Sequence, residues 1–211
     1  MHAQVRQSRK AVWGARAGLL TALALTAGTA GCGDVVREGS GTSFLIITSI
    51  DSFAGAEPNL FGTELESDVV TVVDDFPTVF SDGGRVRFRV GVKDAGGVGS
   101  PNAPTQNEFI TVNRYHVKYI RADGRNTPGV DVPYAFDGSF TATVTTGETQ
   151  ASFTLVRAQA KLEAPLGALA KDPIVISTIA EVTFYGTDQT GHEVSAVGYI
   201  SVHFANWGDP S

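Results

Sequence analysis

Gly84-Arg85-Val86-Arg87-Phe88-Arg89-Val90-Gly91-Val92-Lys93 alternates apolar and basic side chains with a period of two. In an extended chain successive side chains point to opposite faces. Val86, Phe88, Val90 and Val92 therefore share one face, and Arg85, Arg87, Arg89 and Lys93 the other. A helix would scatter the same residues around its circumference. The segment reads as a half-buried strand, and the search for its partners decides the fold class.

Other segments alternate in the same way. Within Phe109 to Arg121, Tyr115, Val117 and Tyr119 fall on one face and Arg114, His116 and Lys118 on the other. Ile110 and Val112 are out of phase with that set, which predicts a bulge near Asn113. Further on, Ala180, Val182 and Phe184 alternate with Glu181, Thr183 and Tyr185. After a turn over Gly186 to Gly191, Val194, Ala196, Gly198, Ile200, Val202 and Phe204 share a face. Additional strands are expected over Ser43–Ile50, Val69–Val73, Phe140–Val144 and Ser152–Val156. Glycine is abundant, at 24 residues, and its clustering between apolar runs suggests tight turns with positive φ. The best helical stretch, Arg157 to Ala170, is interrupted by Pro165 and weakened by Gly167, so one or two turns around Pro165–Ala170 are the most expected. The sum is an all-β chain: an antiparallel sandwich of about seven to nine short strands with minimal helix.

The N-terminus is of a different kind. Met1 to Arg16 is basic, and Ala17 to Ala30 is a run of 14 residues without charge. A membrane-spanning helix needs about 20, so the run has the length of an export-signal core instead. It ends in Thr29-Ala30-Gly31-Cys32. This resembles the lipobox of bacterial lipoproteins, in which small residues precede an invariant Cys, with Thr29 standing where an aliphatic residue is usual. The resemblance implies cleavage before Cys32, a diacylglycerol thioether on its sulfur, and N-acylation. The other reading is an ordinary signal peptide cleaved near Ala30, leaving a free thiol. Cys32 is the single cysteine, so no disulfide forms within a monomer. The resulting organisation is a signal over 1–31, a flexible tether over 32–42, one domain over 43–206 and a tail over 207–211. A Gly-rich tether of that length spans roughly 15–20 Å. Gly33 rather than Asp follows Cys32, which by resemblance to Gram-negative sorting patterns favours the outer membrane.

The phrase Gly186-Thr187-Asp188-Gln189-Thr190-Gly191-His192-Glu193-Val194-Ser195 resembles the last hairpin of bacterial immunoglobulin-like surface domains, with His192 in place of the usual Asn. The resemblance implies an immunoglobulin-like sandwich and no particular activity. Arg125 to Pro133 reads as a loop stiffened by Pro128 and Pro133, fit for a sandwich end or a partner contact.

Charge narrows the partners. All 22 acidic residues follow residue 31, while Arg6, Arg9, Lys10 and Arg16 precede it, leaving 12 basic residues against 22 acidic ones in the processed chain. Such a surface repels nucleic acid. No Gly-x-Ser-x-Gly elbow or phosphate-cradling Gly-Lys-Ser/Thr loop occurs, and Gly97-Val98-Gly99 reads as a turn. His192-Glu193-Val194-Ser195-Ala196 starts like a zinc-protease motif but has Ala196 at the second His position, on a strand rather than a helix. Of His116, His192 and His203, the first and last lie on the polar faces of their strands, where a solvated His is commonplace, so no metal or cofactor is assigned.

Two charge blocks stand out. Between Asp51 and Asp82 there are eight acidic residues and no Lys or Arg. This is an acidic loop region for which calcium is an open question. Arg85, Arg87, Arg89, Arg114 and Lys118 would make a positive sheet face if their strands pair, able to meet an anionic polymer. Alternatively, the acidic block of the same chain packs across them. Tyr185 and Tyr199 are expected to face outward on adjacent strands, as a glycan-stacking surface or as cross-strand support. The reading that follows is a non-enzymatic, lipid-anchored envelope protein, its sandwich used for binding or structural support. Its partners are the membrane, through the lipid on Cys32, and an envelope protein or glycan. The alternatives are a dedicated glycan or anionic-polymer binder, and a hydrolase using two carboxylates about 5–10 Å apart.

Overall fold

The computed structural model of the chain describes residues 41–208. The expected signal segment 1–31, Cys32, the tether as far as Ser40 and the last three residues lie outside the described residues.

The strongly alternating segment becomes β5 (Asp82–Val92), the centre of a three-stranded sheet between β1 (Ser43–Phe53) and β10 (Thr149–Val156), both antiparallel to it. A five-stranded sheet runs in the order β2 (Glu64–Asp68), β12 (Glu193–Ala205), β11 (Ile176–Asp188), β8 (Ile110–Ile120), β9 (Phe136–Val144). Two small ribbons complete the strands: β3 (Thr71–Val73) with β4 (Phe76–Thr78), and β6 (Gly96–Gly97) with β7 (Ser100–Pro101). The chain is thus mostly β with minimal helix.

The sheets are not all antiparallel, which corrects the expected purely antiparallel pairing. β2 lies parallel to β12, with Ser201 opposite Glu64 and His203 opposite Glu66. The expected Val69–Val73 strand is realised only over its last three residues, as β3 from Thr71; β2 ends at Asp68, before it, and Val69 is buried between the two. The acids Glu64, Glu66 and Asp68 disguise β2, because its inward residues are only Leu65 and Ser67. The helix expectation also shifts. α1 (Ala158–Leu162) precedes Pro165, and α2 (Leu166–Leu169) follows it. Proline disfavours helical backbone at the residue before it, so one amphipathic stretch becomes two short pieces.

The predicted bulge is present: the β8–β9 register slips between Val112 and Arg114, so Ile110, Val112, Tyr115, Val117 and Tyr119 are all buried. These residues meet the other sheet. Phe88 of β5 packs edge-on against Phe184 of β11 with ring centroids 5.0 Å apart, and Phe153 of β10 does the same at 5.3 Å. Tyr119 Oη donates to the Leu155 carbonyl at 2.7 Å, and Tyr115 Oη accepts from the Thr154 amide at 3.1 Å. The two tyrosines bolt β8 to β10 across the core, and burial pushes the Tyr119 phenol well above its ordinary pKa.

Glycine does a job here that the sequence did not announce. Phe53 pairs with Gly83, Phe44 with Gly91, Phe153 with Gly84 and Tyr115 with Gly138. In each pair the ring lies over its cross-strand glycine so closely that an added Cβ would come within 2.0 to 2.4 Å of it. The glycines are strand residues that make room for rings. Positive φ in the turns is supplied by Gly96, Gly124, Gly129 and Gly191, and by Asp74 and Asp75.

The strand directions give the domain two ends. Gly41, the β5–β8 connection and the β9–β10 and β11–β12 turns gather at one end. The loops 54–63, 69–81, 121–135 and 157–175 and residues 206–208 gather at the other.

Candidate functional site

The end remote from Gly41 holds a cleft of about 520 Å³. Its floor is built on a buried ion pair. Lys161 projects from α1 and places Nζ 2.8 Å from Asp82 Oδ2, where β5 begins, and also donates to the Asp68 carbonyl at 2.7 Å. Ser67 Oγ donates to the same Asp82 oxygen at 2.6 Å, and the Gly55 amide donates to Oδ1 at 2.9 Å. Asp82 is therefore saturated by three donors from three segments. Asp68 is occupied too: Oδ2 accepts from Thr71 Oγ1 at 2.7 Å and Oδ1 from the Trp207 amide at 3.1 Å. Buried charges persist when such partners replace water. Here they hold the β3–β4 ribbon, α1 and the chain after β12 around one cavity.

Two kinds of surface line the mouth. Glu57, Glu66 and Asp74 are exposed carboxylates, and the one base in the lining, Lys161, is neutralised by Asp82. Val73 and Phe80 of the ribbon region and Trp207 supply apolar surface. At the adjoining tip of the ribbon, Phe76 is 72% exposed. Among the described residues, no group of three His, Cys, Asp or Glu side chains is placed to hold a metal ion.

The arginine stripe does not assemble on one face. Arg85, Arg87 and Arg89 point away from the core on the outer face of the three-stranded sheet. Arg114 and Lys118 occupy the outer face of the five-stranded sheet, on the opposite side of the domain. The acidic block does reach the first group: Arg85 donates through Nε and Nη2 to Asp51 Oδ2 at 3.0 and 2.6 Å, and Arg87 Nη1 reaches the same oxygen at 3.1 Å. The Arg85 guanidinium also stacks 3.5 Å from the Phe61 ring centroid. Arg89 is exposed.

Tyr185 and Tyr199 share the outer face of the five-stranded sheet, as expected. Tyr199 pairs with Glu181 and is 61% exposed, whereas Tyr185 pairs with Ser195, four residues along. At about 3.3 Å per residue the rings start some 13 Å apart. The Arg114 guanidinium covers Tyr185 at 4.2 Å, so one of its faces is taken. The histidines among the described residues have local partners: His116 faces Asp137, His203 faces Ser177, and His192 faces Asp188 and Thr190. Sequence reasoning missed Lys161 and Ser67 entirely. Lys161 lay in a stretch discounted for its proline, and nothing in a linear pattern pairs it with Asp82, 79 residues earlier.

No family model and no curated protein matches this chain. Among solved structures, one described as "X-ray structure of Northeast Structural Genomics Consortium target SoR45" aligns over 78% of this chain and 86% of its own, at 11% identity and a TM-score of 0.35.

Proposed function

We propose that the protein is a lipid-anchored envelope protein whose immunoglobulin-like sandwich is a non-enzymatic binding domain. The anchor is Cys32, and its support is the signal-like segment ending in Ala30-Gly31-Cys32 together with the absence of any second cysteine to pair with it. Two or more acyl chains make attachment durable where one does not.

The observation that carries the binding reading is the division of labour in the cleft. Its inner polar groups, Asp82, Asp68, Ser67 and Lys161, bond one another and the backbone, while its mouth presents exposed carboxylates beside exposed apolar side chains. Saturated inner groups hold a shape, and an amphipathic mouth meets a partner. The cleft lies at the end of the domain opposite Gly41. End loops presented on a rigid sandwich are a common place for recognition.

Fractionation of cells grown with a clickable fatty acid tests the anchor. Label on the wild-type chain and its loss in Cys32→Ala, with that variant soluble or retained as precursor, is the expected outcome. Normal processing and membrane retention of Cys32→Ala would remove the anchor from the proposal.

A further inference from the structure

We infer that the cleft at the end remote from Gly41 docks a protein segment that carries basic and apolar side chains together. This deepens the binding reading above and rests on it, but it is independent of the lipid anchor.

The argument begins with where exposed apolar side chains lie. Each loop region at the cleft end presents at least one: Leu60, Val73, Phe76, Val130, Leu162 and Val175. The loops of the opposite end present Val98 alone among the described large exposed hydrophobics. Scattered single apolar residues need no explanation, but a concentration at one end of a domain marks a surface that meets something.

Charge then selects the occupant. The lining has five carboxylates, Glu57, Glu66, Asp68, Asp74 and Asp82, against the single Lys161. All five carboxylates belong to the stretch from Asp51 to Asp82, which has no basic residue at all. Within that stretch Asp51 is held by Arg85 and Arg87, and Asp82 by Lys161, but Glu57, Glu66 and Asp74 stand exposed at the mouth. A lipid or an anionic polymer is repelled by that potential. A purely cationic ligand leaves the ribbon's apolar surface in water. A segment with Lys or Arg beside Leu, Val or Phe satisfies both features, its charges steering approach and its apolar side chains covering Val73 and Phe76.

The chain carries its own reporter. Trp13 and Trp207 are its two tryptophans, and Trp207 lines the cleft. In the chain bearing Trp13→Phe, whether or not residues 1–31 have been removed, indole fluorescence reports the cleft alone. The probe is a synthetic peptide alternating Lys and Leu, compared with one alternating Lys and Ser and one alternating Glu and Leu. The expected result is a saturable change with the Lys–Leu peptide, a half-saturation raised about tenfold or more by Phe76→Ser, a similar weakening in Glu66→Gln/Asp74→Asn, and little response to the other two. Phe76 and both acids are exposed, so these variants should unfold at the wild-type temperature, which is measured alongside. Equal binding of the Lys–Ser peptide, no saturable change, or indifference to Phe76→Ser overturns the inference. Repeating the titration with Cys32→Ala separates the two proposals: unchanged affinity there leaves docking standing whatever becomes of the anchor.

Discussion

Lys161 Nζ sits 2.8 Å from Asp82 Oδ2, with the two side chains only 1% and 2% exposed. The pair joins α1, after the last strand of one sheet, to the first residue of that sheet's central strand, and the Asp68 carbonyl draws in the edge of the other sheet. It is the pin around which the loop end of the domain is arranged.

Breaking the pin on one side is therefore expected to be costly. Lys161→Ala leaves a buried carboxylate without its cation, and Asp82→Ala leaves a buried ammonium; each is expected to cost about 3–5 kcal/mol in urea unfolding. The double change Lys161→Met/Asp82→Leu should recover part of this but not all. Ser67 Oγ and the Gly55 amide lose their acceptor in it, at about 1–3 kcal/mol for each buried group left unsatisfied. Additive losses in the double variant would show that the two residues are not coupled.

Gly138→Ala tests the ring-over-glycine pairs. The new methyl would meet the Tyr115 ring at about 2.2 Å, and that ring has little freedom to retreat, since its hydroxyl holds the Thr154 amide and the rings of Phe136, Phe140 and Phe153 pack around it. A loss of about 1–3 kcal/mol is expected from overpacking. Gly147→Ala, in open space in the β9–β10 turn, should be close to neutral in the same assay.

Tyr119→Phe removes the donor to the Leu155 carbonyl, and a cost of about 1–3 kcal/mol is expected from the orphaned acceptor. The same residue makes a pH prediction. Its native pKa is raised by burial, so the fold favours the neutral phenol. Its contribution is complete below the unfolded value of about 10 and falls as pH rises above it. Alkaline unfolding should be shallower above that pH in Tyr119→Phe than in the wild type.

At the opposite pH limit, Asp188 closes the β11–β12 turn. Burial opposes its charge, but hydrogen bonds from the Thr190 hydroxyl and amide and from the His192 amide and ring outweigh that and hold its pKa below the ordinary range. A lowered native pKa means a contribution that is complete above the unfolded value of about 3.9 and fades as pH falls below it. Asp188→Asn should lower neutral-pH stability and flatten the acid limb of the unfolding profile. An unaltered acid limb would remove Asp188 from that account.

Local pattern by itself determined a good deal. The period of two placed β5, β8 and β12 within a residue or two and recognised β11, though it began that strand four residues late and ended it three early; the phase break at Asn113 located the bulge, because alternation is forced by the backbone and needs no knowledge of the partner strand. Outward placement of Tyr185 and Tyr199 follows from the same rule. The parallel docking of β2, the division of the arginines between opposite outer faces, the rings over glycines and the Lys161–Asp82 pin are of another order. Each depends on which segments, tens of residues apart, come to lie side by side. Alternation says which way a side chain points relative to its own strand. Only the packing of the two sheets decides what stands across from it: Asp51 against Arg85, Gly138 beneath Tyr115, and Asp82 awaiting the ammonium of Lys161.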